Sequence, residues 1–592
     1  MNQTVKERAK RFLEKENEFH LGALVTEQSH PKTKNLSQVI KADIRAGIRM
    51  LQSVDYDLVS VLKRVLPGDE FNKLVVAFEN ALRTGHRIVF TGCGATGRLS
   101  ILLESVCRKF WKNIREKYPK IPDVENSFFS VMAGGDYALI RSVEGYEDYV
   151  QFGRQQLTET GISENDVVVA ITEGGETSFV IGTAWQSLER GAKTFFVCNN
   201  PPDILARWVK RSREIIEEPR ITKIYLHSGP MAIAGSTRMQ AVSIELVVIG
   251  AALEISFTRI LDAYIGREAM EREGIKLYDT EHYTDFLLQM LDNLGEEECL
   301  NGLTKMVELE EKIYRKGARV TYFAHSCLLD IFTDTTERAP TFSLPPFRKF
   351  DDMKAHPSWA FVKDPLLPTI QAWQSVLGRP PRCIEWDSDV YKKLDAPISW
   401  QKKPLKLGVN ELMRFQIGNE NDPSRYEVDG SVAILVLVGK EGVYAEDLYQ
   451  SFKEQTDRFT ERVVLLIGTK TLTEKNGLHF IRIPCRIEPS LLNIWEHLAV
   501  KLVFNTISTA TMALMGRIID NWMVYVEVSN KKLIDRGIRL ISELTGIPYA
   551  DACYALYETI GEMENSYSKG HVKTSPVALT IQRILSRQKG DL

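Results

Sequence analysis

Short runs of β-branched and aromatic residues occur in two separate sets along this chain, and helix-like segments lie between most of them. The first set contains HRIVFTGCG, DVVVAITEGGE, KTFFVCNN and KIYLHSG; the second contains ARVTYFAHS, RCIEWDSD, GSVAILVLVGK, RVVLLIGT and LHFIRIP. Strands that alternate with helices in this way are typical of parallel sheets covered by helices on both faces. The sequence therefore predicts an α/β protein with two such domains.

The length of 592 residues exceeds what one hydrophobic core usually organises, so several domains are expected. We predict an N-terminal helical segment over 1–65 and a first α/β domain over 66–290. A second α/β domain follows over 300–525, and the helical pattern of 526–592 predicts a small all-helical C-terminal module.

Composition and charge exclude several classes of partner. The net charge of −3 gives no electrostatic reason to expect nucleic acid. The longest apolar runs are shorter than the roughly 20 residues that span a bilayer, and the first residues lack the apolar core of a signal peptide. Eight scattered cysteines without a C-x-x-C pair indicate reduced thiols rather than a disulfide framework or a zinc site. We expect a cytoplasmic protein with no metal, no cofactor and no membrane partner.

The stretch FTGCGATGRLS, residues 90–100, places three glycines between a strand and a helix. The first N–H groups of a helix have no intrahelical partner, and such a turn attracts phosphate. Gly92, Gly94 and Gly97 also fit the spacing of a dinucleotide fingerprint, but that interpretation needs an acidic residue about 20 positions later. Residues 108–121 are basic and polar instead. A phosphate-bearing ligand is the favoured interpretation; a dinucleotide site and a purely structural turn are the alternatives.

A second loop, ITEGGETS, follows the strand DVVVA in the same setting. Thr172, Gly174 and Gly175 could form another part of a small-ligand site. Glu173 and Glu176 are each more simply interpreted as solvated acids in the first turn of a helix, where the helix dipole favours them.

Four blocks together resemble the family that contains N-acetylmuramic acid 6-phosphate etherase and the glucokinase regulatory protein. They are TGCGATGRL, AGGDYALIRSVEGYEDYVQFG, GSTRMQA and NKKLIDRGIRLISELTG. In that family the etherases have one sugar isomerase (SIS) domain, and the regulatory protein has two SIS domains and a helical lid. The resemblance implies two SIS-type, flavodoxin-like domains plus a C-terminal lid, with one site, because the second region lacks the glycine loop.

The resemblance also implies which residues hold a sugar phosphate. They are Gly92, Gly94, Thr96, Gly97 and Arg98 in the first loop; Thr172, Gly174 and Gly175 in the second; Ser236, Thr237 and Arg238 in GSTRM; and Lys501 from the second domain. Taken alone, Arg238 suits an anionic ligand or a structural ion pair equally well. A lone lysine in an apolar helix, such as Lys501, more often extends to solvent.

Family etherases use two glutamates, one to take a proton beside a carbonyl carbon and one to protonate the departing oxygen. VEGYED supplies Glu147 for one of these roles. The stretch LESVC places Val106 where the second glutamate is expected, and Glu104 lies two positions away, which on a helix turns its side chain by about 200°. Set against the family pattern, one acid–base partner is expected to be missing, and the resemblance to the regulatory protein implies that Glu147 binds sugar hydroxyls.

We therefore expect a sugar-phosphate-binding regulator, with a sugar kinase as the partner that the resemblance implies. The alternative is an etherase-like lyase or a sugar-phosphate isomerase, in which Glu147 is catalytic, so whether the chain is an enzyme stays open. A transcriptional regulator is disfavoured because no basic helix-turn-helix-like segment is visible.

Overall fold

The computed structural model describes residues 3–143, 145–439, 441, 445–468, 478–567 and 575–590. Two parallel five-stranded sheets, helices on their faces and a group of C-terminal helices make up these residues. The predicted α/β fold class is confirmed.

The first sheet has the strand order β2-β1-β3-β4-β5, and all its neighbouring strands are parallel. Its strands are β1 (Ile88–Gly92), β2 (Phe128–Met132), β3 (Val167–Ile171), β4 (Lys193–Cys198) and β5 (Thr222–Tyr225). β1 and β3 are buried along their whole length, which explains the apolar residues IVF of β1 and VVVAI of β3. The strand order reverses between β1 and β3, and ligands of open α/β sheets bind at such a point, beyond the carboxyl ends of the strands.

The second sheet has the corresponding order β7-β6-β8-β9-β10 and is also parallel. Its strands are β6 (Val320–Phe323), β7 (Ala360–Lys363), β8 (Val432–Val438), β9 (Glu461–Ile467) and β10 (His479–Ile483). The prediction of a strand at RCIEWDSD is wrong. Asp387 there caps a short helix by accepting hydrogen bonds from the N–H groups of Asp389 and Val390, and the strand beside β6 is AFVK instead.

Twenty-five α-helices surround the sheets in the described residues. The first fifteen are α1 (Gln3–Lys15), α2 (Leu36–Ala42), α3 (Ile44–Asp55), α4 (Asp57–Val65), α5 (Asp69–Arg83), α6 (Gly94–Lys117), α7 (Tyr137–Ile140), α8 (Val150–Glu159), α9 (Ser178–Glu189), α10 (Pro202–Trp208), α11 (Lys210–Glu217), α12 (Gln240–Ile265), α13 (Arg267–Arg272), α14 (Thr280–Leu294) and α15 (Glu297–Arg315). The others are α16 (Leu328–Phe342), α17 (Thr369–Leu377), α18 (Ser388–Lys393), α19 (Ile398–Lys402), α20 (Val409–Leu412), α21 (Glu446–Gln455), α22 (Ile494–Leu514), α23 (Lys531–Thr545), α24 (Tyr549–Tyr567) and α25 (Pro576–Lys589). A two-stranded antiparallel ribbon of β11 (Ile518–Ile519) and β12 (Trp522–Met523) precedes α23.

Helices α12 and α22 pack against each other in the interior, between the two sheets. By length and composition α12 could cross a membrane, although the apolar runs of the sequence did not predict this. In this fold 94% of its most apolar window is buried inside the protein. Burial on all sides explains why α12 is apolar all round.

The two α/β domains also contact each other through α6 and α16. Arg98, in the first turns of α6, pairs with Glu337 near the end of α16, and Lys109, late in α6, lies near Asp330 at the start of α16. The two helices therefore run in opposite directions. Further along α6, the Ser105 hydroxyl donates a hydrogen bond to the Val376 carbonyl oxygen of the second domain (2.8 Å). The domains therefore share one continuous core.

The N-terminal helix and the C-terminal helices form a separate apolar core. Val5, Ala9 and Phe12 of α1 pack there with residues of α23, α24 and α25. We call α1 together with α23–α25 the lid, because α23 lies over the carboxyl ends of the first sheet's strands.

Candidate functional site

A cavity of about 140 Å³ lies beyond the carboxyl ends of β1 and β3, between both α/β domains and the lid; we call it cavity A. Its polar lining consists of Cys93, Ser142, Glu147, Glu173, Thr177, Ser236, Thr237, Arg238, Glu337, Thr341, Asn530, Lys532 and Arg536. The cavity thus occupies the reversal point of the first sheet, where a ligand is expected.

The three glycines of the first loop have different roles. A Cβ atom on Gly92 would lie 2.5 Å from the backbone of Thr96, and one on Gly97 would lie 2.6 Å from the Met132 side chain. These two glycines therefore let α6 pack closely against the strands. Gly94 has a φ of +55°, and a Cβ there would meet only Glu337 Oε1, at 3.9 Å, so it is the glycine of this loop that lines cavity A.

The other predicted residues of the first loop are used inside the protein. The Thr96 hydroxyl donates to the Cys93 carbonyl oxygen (2.9 Å) and accepts from the Cys93 N–H (3.1 Å), which caps α6. Arg98 is fully buried, pairs with Glu337 and donates to the carbonyl oxygens of Ala138 (3.0 Å) and Leu139 (3.2 Å). Arg98 therefore positions the Glu337 carboxylate rather than lining the cavity.

Glu147 lines cavity A and is held from two sides. Asn530 Nδ2 donates a hydrogen bond to Glu147 Oε1 (2.6 Å), and Cys93 Sγ donates to Glu147 Oε2 (3.4 Å). Asn530 is also the N-cap of α23, where its Oδ1 accepts from the Leu533 N–H (2.8 Å). One lid residue thus fixes both the start of its helix and the Glu147 carboxylate.

The second loop brings two buried acids to the site, so the interpretation of Glu173 and Glu176 as solvated acids is wrong. Glu173 lines cavity A, and its burial raises its pKa to about 7, an effect that nearby Lys532 opposes. Glu176 pairs with Lys532 Nζ at 2.8 Å. Burial lowers the pKa of Lys532, but the carboxylates of Glu176, Glu27 and Glu147 outweigh burial and raise it.

Thr172, Gly174 and Gly175 build this second loop from within and do not line cavity A. The Thr172 hydroxyl accepts a hydrogen bond from the Gly175 N–H (3.3 Å), and the Gly174 carbonyl oxygen accepts one from Asn200 Nδ2 (2.8 Å). Gly175 has a φ of +79° and packs against Leu205, so this position requires glycine.

Ser236, Thr237 and Arg238 line cavity A, as predicted from the GSTRM block. Arg238 is buried, and its Nη1 donates to Asp334 Oδ1 (2.6 Å) and Asn505 Oδ1 (3.1 Å) of the second domain. Its Nε has no hydrogen-bond partner among the described residues. Arg238 therefore forms a structural ion pair, and its buried Nε–H is left without a partner among the described residues.

Lys501 lies behind the GSTRM segment and does not line cavity A. Its Nζ donates to the carbonyl oxygens of Arg238 (2.7 Å) and Met239 (3.0 Å) and to Ser243 Oγ (3.0 Å). Burial lowers its pKa to about 7. In this structure Lys501 thus supports the backbone that presents Arg238.

Position 106 does not contribute to cavity A, so the prediction that Val106 removes the second carboxyl from the site of Glu147 is wrong. Val106 lines a different cavity, and Glu104 is buried against Arg379, with Glu104 Oε1 3.0 Å from Arg379 Nε. The second domain supplies Glu337 from α16 instead. Three carboxyl groups, from Glu147, Glu173 and Glu337, therefore reach one cavity.

Of the thirteen residues predicted from the sequence, cavity A brings together Gly94, Glu147, Ser236, Thr237 and Arg238. Sequence reasoning missed Glu337, which lies in the motif-free stretch TTERAP, and it gave Glu173 no role at the site. It also did not single out Asn530 and Lys532, although both fall in the block NKKLIDRG that supported the resemblance. In the part of the chain that the structure describes, no cluster of three or more His, Cys, Asp or Glu is arranged to hold a metal ion.

One family model and several relatives match part of this chain. The model of the family "Glucokinase regulatory protein N-terminal SIS domain" matches residues 70–187. N-acetylmuramic acid 6-phosphate etherase 1 of Bacillus licheniformis is 27% identical over 269 residues, which cover 44% of this chain and 80% of that protein. The etherase of Petrotoga mobilis is 25% identical over 315 residues, covering 49% of this chain and 97% of that protein.

Among solved structures, the C-terminal domain of glucosamine-fructose-6-phosphate aminotransferase from Francisella tularensis matches with a TM-score of 0.38 and 11% identity. The match covers 78% of this chain and 94% of the aminotransferase domain. A TM-score this low supports no argument about function. The family model's match, over residues 70–187, includes the glycine loop and Glu147. Together with the etherase relatives, it confirms the resemblance of this chain to the SIS family that contains N-acetylmuramic acid 6-phosphate etherase and the glucokinase regulatory protein.

Proposed function

We propose that cavity A binds a sugar phosphate and that the chain is a lyase of the etherase type, acting on an amino-sugar 6-phosphate. The observation that carries this proposal is the convergence of the Glu147, Glu173 and Glu337 carboxyl groups around a buried arginine with a free N–H. The etherase relatives in the comparisons favour the same reaction class.

In this proposal the phosphate lies at the start of α6, where free N–H groups and the positive end of the helix dipole favour an anion. The Arg238 Nε donates to a ligand oxygen, and the hydroxyls of Ser236 and Thr237 lie on the same wall. Glu173 is half protonated near neutral pH, because its pKa is about 7, so it repels the ligand less than a full carboxylate would.

An elimination needs a base and an acid in the same site. Glu147, held by Asn530 and Cys93, takes the proton beside the carbonyl carbon. Glu173 in its protonated form gives a proton to the departing ether oxygen, so that the C–H and C–O bonds break as a C=C bond forms. Glu337, fixed by Arg98, orients sugar hydroxyls by accepting their hydrogen bonds.

The direct test incubates the purified chain with N-acetylmuramic acid 6-phosphate and measures released lactate. Glu147→Gln and Glu173→Gln should each lower the rate about 10²- to 10⁴-fold, as expected for loss of a general base or acid. Glu297→Gln serves as a matched control, because Glu297 is exposed on α15 and pairs with the surface residues Arg45 and Arg49. Absence of lactate in the wild-type sample would rule out the lyase.

The second candidate is a ligand-controlled regulator, favoured by the lid residues Asn530, Lys532 and Arg536 that line cavity A. A ligand that contacts the lid can shift its position only as far as it binds the closed state better. Thermal stabilisation by fructose 1-phosphate, fructose 6-phosphate, sorbitol 6-phosphate or glucosamine 6-phosphate, with no product formed, would support this candidate. A sugar kinase partner and a cytoplasmic location stay predictions.

A further inference from the structure

A second and larger cavity, of about 750 Å³, lies near the opposite end of the α6–α16 pair; we call it cavity B. The lysines and histidines of its lining are Lys109, Lys117, Lys276, His325 and His497, and Ser326 lies beside His325. Glu273, already paired with Lys117 at 2.6 Å, is the acid on its wall. The ionisable part of the lining of cavity B is therefore mainly basic.

Cavity B is the counterpart of cavity A in the second domain. Cavity A combines the turn between β1 and α6 with the far end of α16, which supplies Glu337. Cavity B combines the turn between β6 and α16, which supplies His325 and Ser326, with the middle of α6, which supplies Lys109. Both therefore lie at the carboxyl end of the strand beside which a sheet reverses its order, where α/β sheets bind ligands.

Two histidines in cavity B are each held by a buried carboxylate. His325 Nδ1 lies 2.8 Å from Asp364 Oδ2, and His497 Nδ1 lies 2.8 Å from Asp330 Oδ2. The hydrogen bond to Asp364 raises the pKa of His325. Burial lowers the pKa of His497, but the charge of Asp330 outweighs burial and raises it.

In this arrangement the carboxylates occupy the Nδ1 atoms and leave the Nε2 atoms available. The structure shows no hydrogen bond from either Nε2, nor from Lys109 Nζ, among the described residues. Other charges near the imidazoles are Glu441, which accepts from the Ser326 hydroxyl (2.8 Å), and Glu496. Glu441 raises the pKa of His325 and Glu496 raises the pKa of His497, whereas the charge of Lys109 lowers both. Neither acid lines the cavity.

We propose that cavity B is a second anion site, which binds the phosphate group of a phosphomonoester through the Nε2–H groups of His325 and His497 and the ammonium group of Lys109. Charge-assisted hydrogen bonds of this kind suit a dianionic phosphate. The fixed orientation of each imidazole, set by its carboxylate, reduces the entropy lost on binding. The glycine-free turn at β6 thus uses side chains where the first domain uses backbone N–H groups.

The experiment titrates the full chain with inorganic phosphate and with fructose 6-phosphate by calorimetry, and follows the imidazole nitrogens by NMR with ¹⁵N-labelled histidine. Binding at cavity B should move the Nε2 signals of His325 and His497. The variant His325→Gln/His497→Gln should bind at this site at least about tenfold more weakly, since two charged hydrogen bonds are lost. Lys109→Met should also weaken binding and leaves both His–Asp pairs in place. It therefore tests the site even if the double histidine variant fails to fold.

The matched control is His479→Gln, since His479 is an exposed histidine paired with Glu461 outside cavity B. Arg238→Met separates the two sites, because it should weaken binding in cavity A only. If inorganic phosphate binds only in cavity B, the histidine variant should lose phosphate binding and Arg238→Met should keep it. Unmoved Nε2 signals, or affinity unchanged in both the histidine variant and Lys109→Met, would overturn the proposal.

Discussion

Glu173→Gln should make the stability of the protein less sensitive to pH. Glu173 is 7% exposed, and its burial raises its pKa from 4.5 to about 7. At a pH between these two pKa values, the Glu173 carboxyl has lost its proton in the unfolded chain but keeps it in the folded chain. The folded state therefore loses stability relative to the unfolded state as pH rises through this range.

The size of the effect follows from the same two pKa values. A change from 4.5 to about 7, at about 1.4 kcal/mol for each pH unit, costs the folded protein about 3 kcal/mol at pH 8. Glutamine resembles the protonated acid in shape and charge. Glu173→Gln should therefore match the wild type near pH 4.5 and exceed it by up to about 3 kcal/mol near pH 8.

Urea unfolding followed by tryptophan fluorescence, at several pH values between 5 and 8, measures the difference between the two proteins. Comparison of variant with wild type at each pH cancels the other groups that titrate in this range. Glu297→Gln, on the surface, should differ from the wild type by a constant small amount. A difference between Glu173→Gln and the wild type that does not grow with pH would refute the assigned protonation of Glu173.

Three further predictions concern the surroundings of cavity A. Gly92→Ala should destabilise the protein by about 1–3 kcal/mol in urea unfolding, because its Cβ would meet backbone at 2.5 Å. Gly94→Val should abolish sugar-phosphate binding in calorimetry and should also destabilise the protein, because valine strains a backbone with a φ of +55°. Asn530→Ala should cost about 1 kcal/mol through the lost N-cap and should also weaken ligand binding, because Glu147 loses its partner; unchanged affinity would contradict that link. Lys501 binds its proton less tightly in the folded chain than in the unfolded chain, so the stability of the wild type should rise with pH between about 7 and 10. The stability of Lys501→Met lacks this rise and should fall further below that of the wild type over the same range, by no more than about 5 kcal/mol. A difference in stability that does not change with pH would exclude this.

β1, β3 and β4 could be predicted because each contains an apolar run that the sheet buries, as in VVVAI of β3, and β5 was predicted as well, whereas β2 (FFSVM) was missed. The same reasoning failed at RCIEWDSD, where the apolar positions pack between domains and Asp387 starts a helix. Local pattern does not distinguish a residue buried under a sheet from one buried at a domain contact. β7 (AFVK) was also missed, although β5 and β6 are equally short and were predicted.

The candidate site was predictable only where its residues lie in short local motifs. Gly94 and Arg238 stand in such motifs, and both line cavity A. Glu337 reaches the cavity because α6 and α16 run in opposite directions, and no sequence spacing encodes that contact. The protonation of Glu173 was equally hidden, since it depends on burial by the lid and on the distance to Lys532.

The shared core of α1 and the C-terminal helices has a consequence for biosynthesis. α1 is synthesised before both sheets, whereas the residues of α23–α25 that bury Val5 and Phe12 are synthesised after them. Through most of synthesis α1 therefore exposes an apolar face without its partner, and cavity A lacks Asn530 and Lys532. Because α23–α25 follow both sheets in the chain, a nascent chain should have both sheets in place before the lid can close over a ligand.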